Sequence, residues 1–242
     1  MSKRICHIDL DGVLVSGHRA SLEYHGVYLD DLPFGKSVYD TLNDQLGNES
    51  PAHNVDEDQF WAGFDDNFWF NLPKTPECGL ILNWASSMFG CENVRIATRP
   101  TESSLSYSGK HMWVCENLPK WIWNNVILIR DKSVLARPGT LLIDDSYVNC
   151  FDFEEAGGIA NFISRPWNGY QPFNFETLIE SLNLAYSRVC QQEKKDQLSV
   201  IRECSEFRIV PNARINFSVL THYPSTPPVN RKPPDDPQMI PR

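Results

Sequence analysis

The chain has 242 residues, 41% of them hydrophobic and 22% charged, which suits one globular core with room for an inserted subdomain. A formal net charge of −9 and a pI near 5.1 argue against broad nucleic-acid binding, which needs a basic surface, but leave room for a small anion held by local cations. Seven scattered cysteines without zinc spacing, early acidic residues in "MSKRICHIDLD" and no apolar run of about 18 residues argue against a zinc site, a secretory signal and a membrane span.

The first predicted element is a strand over Arg4–Asp9, within "ICHIDLDGVLV". It is apolar on both faces and ends on Asp9, with Asp11 and Gly12 in the turn that follows. From Ser16 to Leu72 the chain is rich in aromatics ("FWAGFDDNFWF") and acids and poor in strand-like runs, so it reads as a small, mostly helical inserted cap. Glu77–Phe89 places Leu80, Ile81, Trp84 and Met88 at helical spacing. Strands are predicted over Val94–Thr98, Val126–Arg130, Thr140–Asp144 and Ile159–Ser164, with a helix over Ser108–Asn117 between the first two.

Short strands apolar throughout belong in a parallel sheet covered on both faces. Their alternation with helices predicts a doubly wound, Rossmann-like α/β fold of about five strands. Phe175–Val189 is predicted as a closing amphipathic helix. Residues 211–242 hold 8 of the 17 prolines, and "PSTPPVNRKPPDDP" cannot pack as a helix or a central strand, so the tail is expected to be extended or disordered. The expected organisation is a core of residues 1–15 and 73–190, a cap of 16–72, and a C-terminal extension of 191–242 with a Pro-rich tail.

In doubly wound sheets, sites form at the carboxyl ends of the strands. Asp9, Thr98, Arg130/Asp131 and Asp144/Asp145 all fall there. Two carboxylates as close as Asp9 and Asp11 need a cation to share, and Mg²⁺ suits hard oxygen ligands while keeping waters for a phosphate to replace. Asp144-Asp145 supplies a further carboxylate from another strand end.

These motifs resemble those of the haloacid-dehalogenase-like (HAD) phosphatase superfamily: "DLDGVL", "IATRP", the lysine of "RDKSV" and "LLIDDS" in that order. Residues 94–146 resemble most closely the 5'(3')-deoxyribonucleotidase family. The resemblance implies a Mg²⁺-dependent phosphoric monoester hydrolase acting on a (deoxy)nucleoside monophosphate through an aspartyl-phosphate. It casts Asp9 as nucleophile and Asp11 as general acid. Asp9, the backbone carbonyl of Asp11 and Asp145 would hold the metal, with Asp144 in support. Thr98, Lys132 and Lys110 would bind phosphate. Arg99 stands where the family has a small residue, and either binds a second anionic group or points to solvent.

The expected partner is a small phosphorylated substrate, with no membrane and no long nucleic acid; a homodimer is left open, and the expected compartment is the cytoplasm. The alternatives are a phosphatase for another small phosphoester, such as a sugar phosphate or a polynucleotide end, and a non-catalytic nucleotide- and metal-binding regulator. Phe60, Trp61, Phe68 and Trp69 are candidates for stacking on a base. His18 and the other histidines outside the first strand form no cluster and are expected at the surface.

Overall fold

The five apolar runs pair into a single parallel sheet in a computed structural model that describes residues 3–29, 32–46, 60–61, 63–101, 103–168 and 174–206. The strands are β1 (Ile5–Ile8), β2 (Val94–Thr98), β3 (Val126–Leu128), β4 (Thr140–Asp144) and β5 (Ile159–Phe162). Their order is β3-β2-β1-β4-β5. β1 is therefore central, with Ile8 opposite Ile96 on one side and Ile143 on the other.

β1 and β4 are buried along their whole length, as uninterrupted aliphatic runs require. Each fully buried Ile or Leu contributes roughly 1.5–3 kcal/mol against exposure. β3 and β5 each stop two residues before the end expected for them. Their pairing neighbours end at Thr98 and Asp144, so the polar residues beyond have no strand to bond and turn out of the sheet.

The segment between β1 and the next core helix carries α1 (Gly17–Tyr24), α2 (Val38–Leu46) and α3 (Asp66–Phe70), with no strand among its described residues. Its aromatics pack on one another and are continuous with the core of the sheet: Phe64 and Phe68 stack at 4.0 Å and Phe60 is fully buried. Helix α4 (Cys78–Phe89) turns Ile81, Leu82, Trp84 and Ala85 inward and ends at Gly90, whose φ of 81° suits glycine.

Helix α5 (Ser104–Asn117) begins four residues earlier than its apolar pattern suggests. The side chain of Ser103 accepts from Leu105 N–H and caps it, so serines that resemble a loop in sequence open a helix instead. α5 lies close to α3, because a Cβ at Gly109 would stand 2.5 Å from that of Trp69. Trp113, on the same helix, donates its indole N–H to the carbonyl of Leu72 at 2.7 Å.

α6 (Tyr147–Glu155) follows β4, and α7 (Phe175–Glu206) closes the described chain. α7 buries Leu178, Leu182, Ala185 and Val189 as predicted but runs well past Val189. The chain divides into two units, Met1–Val200 and Ile201–Arg242, and only the helical residues 201–206 of the second are described. The Pro-rich tail lies outside the described residues. Among them no helix is long and apolar enough to cross a membrane.

Candidate active site

Four of the expected residues meet where β1 and β4 end. Asp9 leaves β1 with Leu10 N–H donating to its Oδ1 at 2.8 Å. Lys132, in a short 3₁₀ turn after β3, places Nζ 2.8 Å from Asp9 Oδ1 and 2.6 Å from Asp144 Oδ2. Asp144 is fully buried and otherwise satisfied: it accepts from Ser146 N–H at 2.8 Å and from the Asn149 amide at 3.2 Å. Burial alone would lower Lys132, but the flanking Asp9 and Asp144 outweigh it and hold the ammonium above its ordinary range. Lys132 is thus a structural cation as much as a site residue.

Asp145 faces the same point from the other side. Carboxylate oxygens of Asp9, Asp144 and Asp145 lie within 4.8 Å of one another. Three carboxylates around one ammonium leave an excess of negative charge, which is the donor set a hard divalent cation requires. Burial pushes Asp9 well above the carboxylate range, Lys132 opposing and Asp144, Asp11 and Asp145 adding to it. Burial and then Asp144 push Asp145 up to about 7, against the pull of Trp167, Arg165 and Lys132. Both carboxyls are thereby shifted towards protonation, chiefly by burial.

The backbone around this cluster is shaped for Asp145. Gly12 has φ 74°, and a Cβ there would fall 2.1 Å from Asp145 Oδ2. Arg165, from the loop after β5, donates through Nε to the Gly12 carbonyl at 2.6 Å and pairs with the buried Glu77. Trp167 donates its indole N–H to Asp145 Oδ2 at 2.7 Å, and Asn168 donates to the Asp145 carbonyl at 3.0 Å.

Asp11 points instead into a cleft of about 530 Å³ that it lines with Lys110, Arg99, Arg130, His18, Trp61, Phe68 and Trp69 among others. Its Oδ2 accepts from Thr98 Oγ1 at 3.0 Å and from Lys110 Nζ at 2.5 Å. Lys110 is buried, donates also to the Arg99 carbonyl at 2.7 Å, and sits 4.8 Å from the centre of the Trp69 ring. Thr98 and Lys110 are thus gathered around one carboxylate, where an incoming anion would meet donors already in place.

All eight candidate residues lie at this edge of the sheet, in two groups: Asp9, Lys132, Asp144 and Asp145 inside, and Asp11, Lys110 and Arg99 along the cleft, with Thr98 buried behind Asp11. Of the four aromatics, Trp61, Phe68 and Trp69 line the cleft and Phe60 does not. His18 corrects an expectation. Its ring is half-buried against Trp167, stacked at 3.6 Å and 11°, and it lines the cleft. Burial, with the Arg165 cation, lowers it to about 3 although Asp11 pulls upward, so it is neutral near pH 7. Trp167, Asn168 and Arg165 were not singled out in sequence. They follow the last strand in a loop without periodicity, and only the position of "SRPWN" after a strand end marked it.

A family model described as "5' nucleotidase, deoxy (Pyrimidine), cytosolic type C protein" matches residues 3–170. No curated protein matches the chain. Among solved structures, a HAD family hydrolase from Deinococcus radiodurans R1 with bound phosphate and sodium aligns at a TM-score of 0.41 and 15% identity, over 74% of this chain and 88% of that one. A HAD family enzyme from Bacteroides thetaiotaomicron, in complex with magnesium and inorganic phosphate, aligns at 0.35 and 16%, over 67% and 95%. A conserved haloacid dehalogenase-like protein of unknown function from Agrobacterium tumefaciens aligns at 0.43 and 12%, over 74% and 90%.

Proposed function

Because the chain belongs to the cytosolic type C family of deoxy (pyrimidine) 5' nucleotidases, we propose that it hydrolyses a (deoxy)nucleoside monophosphate to nucleoside and inorganic phosphate through an aspartyl-phosphate on Asp9. The supporting observation is the pairing of carboxylates with fixed cations at the ends of β1, β2 and β4. Asp9 and Asp145, with the backbone carbonyl of Asp11, would hold Mg²⁺, and Asp144 would orient Lys132. When bound, Mg²⁺ supplies the positive charge that keeps Asp9 ionised and offsets charge on the phosphoryl oxygens.

Asp9 attacks phosphorus in line with the leaving nucleoside oxygen, forming a carboxyl–phosphorus bond as the ester bond breaks. Asp11 gives its proton to that oxygen. As a carboxylate it then takes a proton from water, which attacks the aspartyl-phosphate and releases inorganic phosphate with Asp9 restored. Thr98 and Lys110 hold Asp11 at the cleft. Transferring both donors to the arriving phosphate frees Asp11 for proton transfer and steadies charge on the phosphoryl group. Trp61, Phe68 and Trp69 offer apolar faces to the base.

The test is phosphate release across ribo- and deoxyribonucleoside 5'- and 3'-monophosphates and sugar phosphates, with and without Mg²⁺. Asp9→Asn preserves shape and removes the nucleophile, and is expected to abolish release. Full activity in that variant rejects the mechanism, and preference for sugar phosphates rejects the substrate class.

A further inference from the structure

The phosphoryl chemistry makes no use of His18, whose ring lines the cleft together with Asp11. The turn after β1 explains why the two meet. Asp11 and Val15 form a bridge, and Gly12 N–H donates to the Val15 carbonyl at 2.8 Å, so the chain folds back before α1 begins at Gly17. His18, the second residue of α1, is thereby returned to the neighbourhood of the Asp11 carboxylate, which acts on its charge state. Gly17 also lines the cleft and, having no side chain, leaves the wall open beside the ring.

The plane of the ring is fixed. It stacks on Trp167 at 3.6 Å and 11°, and Trp167 is itself tied to Asp145 through its indole N–H. The His18 carbonyl accepts from Ser21 Oγ, but neither ring nitrogen has a hydrogen-bond partner among the described residues. A neutral imidazole offers one donor and one acceptor at its edge. An anion is better served by Lys110 or Arg99, and a base by the faces of Trp61, Phe68 and Trp69. A hydroxyl group both donates and accepts, and so matches the imidazole edge. In a nucleoside monophosphate the leaving oxygen is bonded to the sugar, which makes the sugar the part of the substrate that lies next to Asp11. We propose that His18 is a specificity residue that hydrogen-bonds a hydroxyl of the sugar ring and so selects nucleotides over phosphomonoesters lacking one there. This rests on the nucleotidase reading of the same site.

The experiment uses four 5'-monophosphates of one base: the ribonucleotide and its 2'-deoxy, 3'-deoxy and 2',3'-dideoxy forms. With Mg²⁺ present, calorimetric affinity is measured for Asp9→Asn with and without His18→Phe, and initial-rate kcat/KM for the wild type and His18→Phe. Phenylalanine keeps a ring against Trp167 and removes both nitrogens. With His18 in place, removal of one hydroxyl is expected to lower affinity and kcat/KM by about three- to tenfold, the usual worth of a hydrogen bond. The deoxy form that shows the loss names the hydroxyl, and in His18→Phe that loss disappears. The decision rests on ratios between ligands, which a general loss of folding does not imitate. The proposal is overturned if no hydroxyl contributes with His18 in place, or if every contribution survives His18→Phe. Absence of phosphate release from all four ligands rejects the nucleotidase reading instead. Binding to Asp9→Asn still decides the inference in that case: a His18-dependent ratio upholds it, and equal or undetectable binding overturns it.

Discussion

Trp167 holds Asp145 through a 2.7 Å hydrogen bond from its indole N–H to Oδ2, while its ring is stacked on His18 at 3.6 Å. The loop after β5 thereby sets the orientation of a carboxylate proposed to hold the metal. Trp167→Phe keeps an aromatic ring against His18 and removes only the donor. The Mg²⁺ concentration giving half-maximal phosphate release should rise about 10–100-fold, the usual cost of losing such a supporting bond. An unchanged Mg²⁺ midpoint with a native circular dichroism spectrum would reject this role.

Lys132 places its ammonium between the buried Asp9 and Asp144. Lys132→Met leaves both carboxylates uncompensated, and breaking a buried pair from one side costs about 3–5 kcal/mol. Urea denaturation of the metal-free protein should show a loss of that order. The double variant Lys132→Met/Asp144→Asn should recover part of it, because one stranded charge is gone. No recovery would mean that packing of the lysine stem, not charge, is what matters.

The His18 ring gives an acid sensitivity of definite sign. It titrates near 6.5 when unfolded and is held at about 3 in the fold. Between those values the unfolded chain binds more protons, so stability is lost as pH falls from about 6.5 towards 3. His7, lowered to about 4 mainly by burial, acts in the same direction. His18→Phe preserves the stack and removes only its own share. The loss of urea midpoint between pH 7 and pH 5 should be smaller in the variant, and an equal loss in both proteins would exclude His18 as a source.

Gly109 is where α5 admits Trp69. A methyl group there would stand 2.5 Å from the Trp69 Cβ and 2.9 Å from the Asp66 carbonyl oxygen. Gly109→Ala should therefore destabilise by about 1–3 kcal/mol, despite alanine being the better helix former. Phosphate release should fall with it, because Trp69 and Lys110 share the cleft wall. A variant as stable and as active as the wild type would show that α3 yields without cost.

The sheet was legible in the sequence because burial on both faces removes polar residues from a strand, leaving apolar runs whose ends differ from the structure by only a residue or two. The inner site was legible for the related reason that a charge at the end of such a run stands out, as Asp9 and Asp144 do. Lys110 was less so, because a lysine at helical spacing usually lies in water and only the fold brings it beneath Trp69. His18 and Trp167 could not be read at all. They meet across 149 positions of sequence through a stacking contact that no local pattern encodes. The start of α5 was missed because four serines in ten residues suggest a loop, whereas one of them acts as a cap.

The position of β1 bears on how the protein is made. The strand that leads into Asp9 precedes the other four strands of the sheet in the chain, yet it lies in the middle of that sheet, with Cys6 opposite Val94 on one side and Leu141 on the other. Such distant pairing slows folding, since long loops must close before their contacts repay them. A nascent chain that has reached Asn93 holds Asp9 beside a strand unpaired on both sides, with Lys132 not yet synthesised. Until β4 arrives, Asp9 belongs to the part of the chain most exposed to mispairing, and the carboxylate cluster of Asp9, Asp144 and Asp145 is complete only when the sheet nearly is.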